Sequence, residues 1–187
     1  RVASRGLGYV YKRQDENDNK TIVFIDRSKN VEFRENIEKV RLIGKMFHPE
    51  VVLFETNTFA KSFTQELRNV SDLNVHDFNT TRKKKEEIIL SLQMNFENKK
   101  INLPYGNEES RRVSMTLLEE LSMFAITEKG KFEGIGAHDD MVMSLALANA
   151  ATHTMSETFI LLDDLGLFEP PTTNKYKRNT GVIGMNF

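Results

Sequence analysis

Val51-Val52-Leu53-Phe54-Glu55-Thr56-Asn57 opens with four apolar residues in an unbroken run and turns polar at an acid. A run this short, with two β-branched residues, reads as a strand buried on both faces, and Glu55 then stands at its C-terminal end. Upstream, Ile37, Val40, Ile43 and Phe47 recur at helical spacing across residues 34–47, and His48-Pro49 ends the pattern. Before that helix, Thr21-Ile22-Val23-Phe24-Ile25 is a second apolar run, bounded by Asp26 and Ser28. Asp26 is read as a turn marker. Strand, helix and strand of these lengths form a right-handed crossover unit, which predicts an α/β sheet with parallel pairing.

Downstream, Phe59, Phe63 and Leu67 predict a helix, and residues 74–78 a short strand, in a sheet that is partly parallel. Residues 82–98 begin basic and then place Ile88, Leu92 and Phe96 on one face. Residues 101–104 read as an edge strand closed by Pro104, and residues 108–124 as an amphipathic helix carrying Val113, Leu117 and Leu121. Three glycines between 130 and 136 predict a hairpin or loop, and residues 138–152 a buried helix. Residues 159–168 offer one more packed turn. The Pro170-Pro171 pair opens a loosely ordered tail.

The chain has 187 residues, 39% hydrophobic and 28% charged, which suits one domain with its own core. Zero cysteines exclude disulfides, thiolate zinc sites and cysteine nucleophiles, so any metal must sit on oxygen or imidazole. No apolar run approaches the roughly 20 residues of a membrane span. The expected location is cytosolic. A net charge of −1 means that nucleic-acid binding would have to rest on local clusters.

Ser4-Arg5-Gly6-Leu7-Gly8-Tyr9-Val10-Tyr11-Lys12-Arg13-Gln14 closely resembles a translated sequencing-library adapter, with Tyr9 where that peptide has Asp. Residues 1–14 are therefore set aside as non-native, the alternative being a genuine strand from Gly8 to Tyr11. The division that follows is 15–168 as a partial domain and 169–187 as a C-terminal tail.

Two places carry candidate chemistry. Glu55 is held at a sheet edge, where open α/β folds place their ligand crevice, although strands also end in plain solvated acids. Thr56 and Asn57 beside it could orient the carboxylate or cap a helix. His138-Asp139-Asp140 opens the buried helix. One Asp is explained by capping, whereas a second facing inward needs a neutralising cation, and hard divalent ions prefer carboxylate oxygens. Acids from separate elements meeting at one edge suit two-metal phosphodiester hydrolysis, in which the ions activate water and stabilise the leaving oxygen. Arg82, Lys83, Lys84 and Lys85 form the one dense basic run; phosphate contact and a solvated charged face are both open readings.

Val51 to Asn57 resembles the strand ending in the second metal-binding acid of the C-terminal nuclease domain of tailed-bacteriophage large terminases. Gly136-Ala137-His138-Asp139-Asp140-Met141-Val142-Met143-Ser144-Leu145-Ala146-Leu147-Ala148 resembles that family's closing acidic helix, Thr81 to Glu87 its basic segment, and Leu118-Glu119-Glu120-Leu121 with Phe124 its penultimate helix. The resemblance covers residues 21–152.

It implies a ribonuclease-H-like mixed sheet flanked by helices, and cutting of concatemeric double-stranded DNA with two divalent cations, Mg²⁺ or Mn²⁺. Glu55, Asp139 and Asp140 would be the catalytic metal ligands, with His138 and Asn57 orienting them and Arg82, Lys83, Lys84 and Lys85 meeting DNA. The implied partners are the portal protein, the small terminase subunit and an N-terminal ATPase domain, in the host cell cytoplasm, with no membrane. Many relatives carry a further Asp where this chain has Met143. The family's first catalytic Asp lies on a first strand that would precede residue 15, so the first strand is expected to be missing or replaced and this chain to cut little. The rival readings are another ribonuclease-H-like nuclease of Holliday-junction-resolvase or transposase type, and a non-catalytic docking domain.

Overall fold

The computed structural model describes residues 7–28, 31–55, 58–126, 132–134, 140–151 and 180–186. Their order is β1 (Leu7–Gln14), β2 (Lys20–Ser28), α1 (Phe33–Phe47), β3 (Val51–Glu55), α2 (Thr58–Val70), β4 (Val75–Phe78), α3 (Arg82–Glu97), β5 (Ile101–Asn102), α4 (Glu108–Ser122), β6 (Phe124–Ile126), β7 (Phe132–Gly134), α5 (140–151) and β8 (Thr180–Asn186).

Local chemistry sets the element ends. His48 adopts the left-handed conformation, φ 47°, and closes α1 through its N–H to the Gly44 carbonyl. The Thr81 side chain caps α3, and Asn107 with Ser110 forms a reciprocal capping box on α4.

Six strands form one sheet in the order β4-β3-β8-β1-β2-β5. β1 runs antiparallel to β2 and β8, while the remaining neighbours are parallel, so β1 alone is reversed. β6 and β7 form a separate antiparallel pair, of which only β7 falls within the glycine-bearing residues 130–136 read as a hairpin or loop. The short edge strand β5 also sits where expected, beside Lys20 and Thr21.

Side-chain alternation divides the core between two faces. On one face Tyr11, Val52, Phe54, Val75 and Met185 pack against Ile37, Val40 and Ile43 of α1 and Phe63 and Leu67 of α2. On the other, Val10, Ile22 and Ile25 meet Ile88, Ile89 and Leu92 of α3, Leu117 of α4 and most of α5. Val51 and Leu53 complete that second face against Ala151. Every residue of α5 is buried, in agreement with its small, apolar sequence.

Three sequence expectations change. Residues 7–14, set aside as foreign, form β1 at the inside of the sheet, where Val10 and Tyr11 feed opposite core layers. Residues 180–186, read as part of a loose tail, form β8 between β1 and β3. A Cβ on Gly184 would collide with the backbone of Ser144 and Ala148, so the absent side chain is what lets β8 lie directly on α5. Asp26 marks no turn: it pairs with Tyr9 inside β2 and forms an ion pair with Lys39 of α1.

Candidate active site

Five strands have an end at one edge of the sheet. Glu55 ends β3 and pairs with Phe78, the last residue of β4. Gly8 pairs with both Arg27 of β2 and Asn186 of β8, and Met185 pairs with Phe54, which places residue 186 next to the end of β3. Alternation along β3 puts Glu55 on the face of Val51 and Leu53, and alternation along β2 puts Arg27 on the face of Ile25. Both therefore lie on the α5 side of the sheet. Three strand intervals separate β3 from β2, about 14 Å between backbones at roughly 4.8 Å each.

Asp140 enters this edge from the start of α5 and is buried. Among the described residues its neighbours include Glu120 of α4, also buried, and Arg27. Arg27 Nη1 lies 3.1 Å from Glu120 Oε1, and Nη2 lies 3.9 Å from Asp140 Oδ2. The other Glu120 oxygen, Oε2, accepts the backbone N–H of Met141 at 3.0 Å. A side chain from a different helix thus satisfies one of the free donors at the α5 start. Ser144 Oγ donates to the Asp140 carbonyl at 2.8 Å one turn further on.

Glu55 lies at the same end and on the same face of the sheet as Arg27, to which Asp140 is ion-paired, with β8 and β1 between the two strands. Asn57, His138 and Asp139 lie outside the described residues. Among the described residues no three acids or imidazoles stand close enough to hold a metal ion. The donor chemistry fits hard divalent cations, since every candidate group is a carboxylate, but Glu55 and Asp140 alone are fewer than the three such a centre ordinarily uses. The inward-facing Asp140 also has a neutralising partner, Arg27, so its burial does not by itself call for a metal.

Arg27 and Glu120 escaped the sequence reading. The signal for Glu120 was present: it falls on the helical stripe of Leu117 and Leu121, where an acid must find a partner. Arg27 was hidden because the strand was expected to stop at Ile25, whereas it runs on to Ser28.

The basic run begins at the same edge. Only three residues separate Phe78, the partner of Glu55, from the start of α3. Lys84 Nζ lies 5.6 Å from the Phe78 ring centroid and Lys85 Nζ 5.7 Å from that of Phe124. Arg82 pairs with Glu86 at 3.0 Å and Lys83 approaches Glu87 at 3.9 Å, which offsets part of the unfavourable placement of cations at a helix start.

At the opposite end of the sheet two lysines are buried, Lys12 and Lys20. Lys20 is ion-paired to Asp18 at 2.8 Å, and Lys12 donates to Gln14 Oε1 at 3.2 Å. Burial, and then the neighbouring Lys20 ammonium, push Lys12 from 10.5 down to about 7.

Among the described residues a six-stranded mixed sheet with one reversed strand and helices on both faces makes an α/β fold. Solved structures of this fold that resemble the chain are those of the large terminase nuclease from the thermophilic phage G20c. One aligns with a TM-score of 0.57 at 23% identity, over 76% of this chain and 74% of that one. Its magnesium-bound form gives 0.60 at 21%, and its cobalt-bound form 0.58 at 20%, each over 80% of this chain and 82% of the other. At these identities the likeness is one of fold. No protein-family profile matches the chain, and no curated protein does. Among the described residues no helix is long and apolar enough to cross a membrane.

Proposed function

We propose that the chain is the nuclease domain of a viral DNA-packaging terminase large subunit, cutting concatemeric double-stranded DNA with Mg²⁺ or Mn²⁺. The observation that supports this reading is a fold shared with a large terminase nuclease solved with magnesium and with cobalt, together with Glu55 at the same end and on the same face of the sheet as Arg27, the ion-pair partner of Asp140. Bound there, two divalent ions would supply an activated water and charge stabilisation for the leaving oxygen. Glu55 and Asp140 would hold them, with Asp139 the further acid and His138 and Asn57 orienting the set. Arg82, Lys83, Lys84 and Lys85 would place the DNA backbone against the edge, since α3 starts beside the partner strand of Glu55. Portal protein, small terminase subunit and an ATPase domain of the same polypeptide are the partners this role brings, in the host cell cytoplasm.

The test is a Mn²⁺ titration with cleavage of double-stranded DNA read alongside. Glu55→Ala and Asp140→Ala are each expected to weaken Mn²⁺ binding by at least about tenfold, each having lost a direct carboxylate ligand, and to abolish whatever cleavage the unmodified chain shows. Binding and cleavage unchanged in both variants would overturn the reading.

A further inference from the structure

Arg27, Glu120 and Asp140 form a cluster that the metal chemistry alone does not explain. One guanidinium serves two buried carboxylates, at 3.1 Å and 3.9 Å, leaving the trio with one net negative charge. The strong arrangement of such groups is a two-pronged hydrogen-bonded fork on a single carboxylate. Here neither Arg27 Nε nor Nη2 makes a hydrogen bond, and neither does Glu120 Oε1. The arginine is thus shared by charge between two acids instead of being committed to one. Its Nε and Nη2 atoms are also closed to solvent, so a DNA phosphate has no access to them in this arrangement.

We infer that Arg27 is a resident counter-ion, holding the Glu120–Asp140 pair in the place where a divalent cation would otherwise neutralise Asp140, and so setting how tightly that cation binds. The metal half of this inference rests on the function proposed above; the counter-ion half does not. Glu120 makes the exchange feasible because its Oε2 stays on the Met141 N–H whichever cation serves Asp140. The start of α5 keeps its anchor while Arg27 passes wholly to Glu120. Glu120 is in this sense a positioning residue, acting on Asp140 through Arg27 and the helix backbone.

The experiment uses the whole chain with Mn²⁺ as probe, free Mn²⁺ being counted by electron paramagnetic resonance and melting followed in parallel. In chelator, Arg27→Gln is expected to melt below the unmodified protein, because the buried Glu120 and Asp140 carboxylates both lose the guanidinium between them. In Mn²⁺ the same variant is expected to bind about tenfold more tightly, a conservative figure for removing a positive charge within a few ångströms of the ion. Arg27→Lys, which keeps the charge, should bind like the unmodified chain. Glu120→Gln removes one acid while retaining an acceptor for the Met141 N–H, and should weaken Mn²⁺ binding several-fold. Affinity unchanged or lowered in Arg27→Gln overturns the inference; if that variant fails to fold, unchanged affinity in Glu120→Gln does so. Tighter binding in Arg27→Gln with Mn²⁺ affinity unchanged in Glu55→Ala would keep the counter-ion and remove the two-acid nuclease centre. Cleavage by the unmodified chain with unaltered affinity in Arg27→Gln would do the reverse.

Discussion

Lys12 is a side chain whose ionisation works against the fold. Its amine is buried beside a second buried ammonium, and its pKa falls from 10.5 to about 7. The unfolded chain binds that proton up to its ordinary pKa, so between about pH 7 and 10.5 the unfolded state holds more protons and stability rises with pH. Below about pH 7 both states are protonated and the cost of burying the ammonium is felt in full. Lys12→Met should therefore stabilise the protein at neutral pH by on the order of 1–4 kcal/mol, the range for replacing buried ionic groups by apolar ones of similar size. It should also flatten the rise in melting temperature from pH 7 to 10. Thermal melts across that range decide the matter, and a variant less stable than its parent at pH 7 would show that the ammonium makes a favourable contact outweighing its burial.

At the scale of elements, the consequential arrangement is β8 lying between β1 and β3 and against α5. Gly184 is the contact point, and a Val there would drive two methyl groups into the Ser144 and Ala148 backbone. Gly184→Val should cost about 3 kcal/mol or more, the upper end for overpacking against atoms that cannot move aside. Amide exchange at residues 180–186 should speed up before exchange in α1 and α2. Equal protection in variant and parent would mean that β8 is not seated on α5. This strand also marks the limit of what the sequence discloses. Val51–Glu55, α1 and α5 were legible because their apolar residues follow one period over a sufficient length. β8 was not, since its few apolar residues follow a Pro, Thr, Asn and Lys stretch and its partners lie more than a hundred positions away. β1 is hard to read for a different reason: its sequence resembles an adapter peptide, and Lys12 and Arg13 interrupt any apolar run. For the candidate site, acids at a strand end and a helix start are candidates that position alone offers. The arginine that neutralises one of them could not, because ion pairing across elements leaves no local pattern.

The whole molecule carries a net charge of −1, so its overall charge does not draw DNA to the candidate active edge. Affinity would have to come from the start of α3, where Lys83, Lys84 and Lys85 stand beside the strand that partners Glu55. Lys83 is highly exposed and only weakly held by Glu87, whereas Lys84 and Lys85 lie over the Phe78 and Phe124 rings and are better ordered for a fixed phosphate contact. Each lysine that meets a phosphate adds about 0.9 to the slope of log affinity against log salt. Replacing all three by Ala should make that slope shallower by about 2–3 and weaken binding equally for unrelated duplex sequences, because phosphate contacts carry no base information. Fluorescence anisotropy on two duplexes of different sequence, in the presence of Ca²⁺ to prevent cutting, gives both quantities. A slope unchanged by the triple substitution would move the DNA track off α3, and a loss confined to one duplex would mean that these lysines read bases.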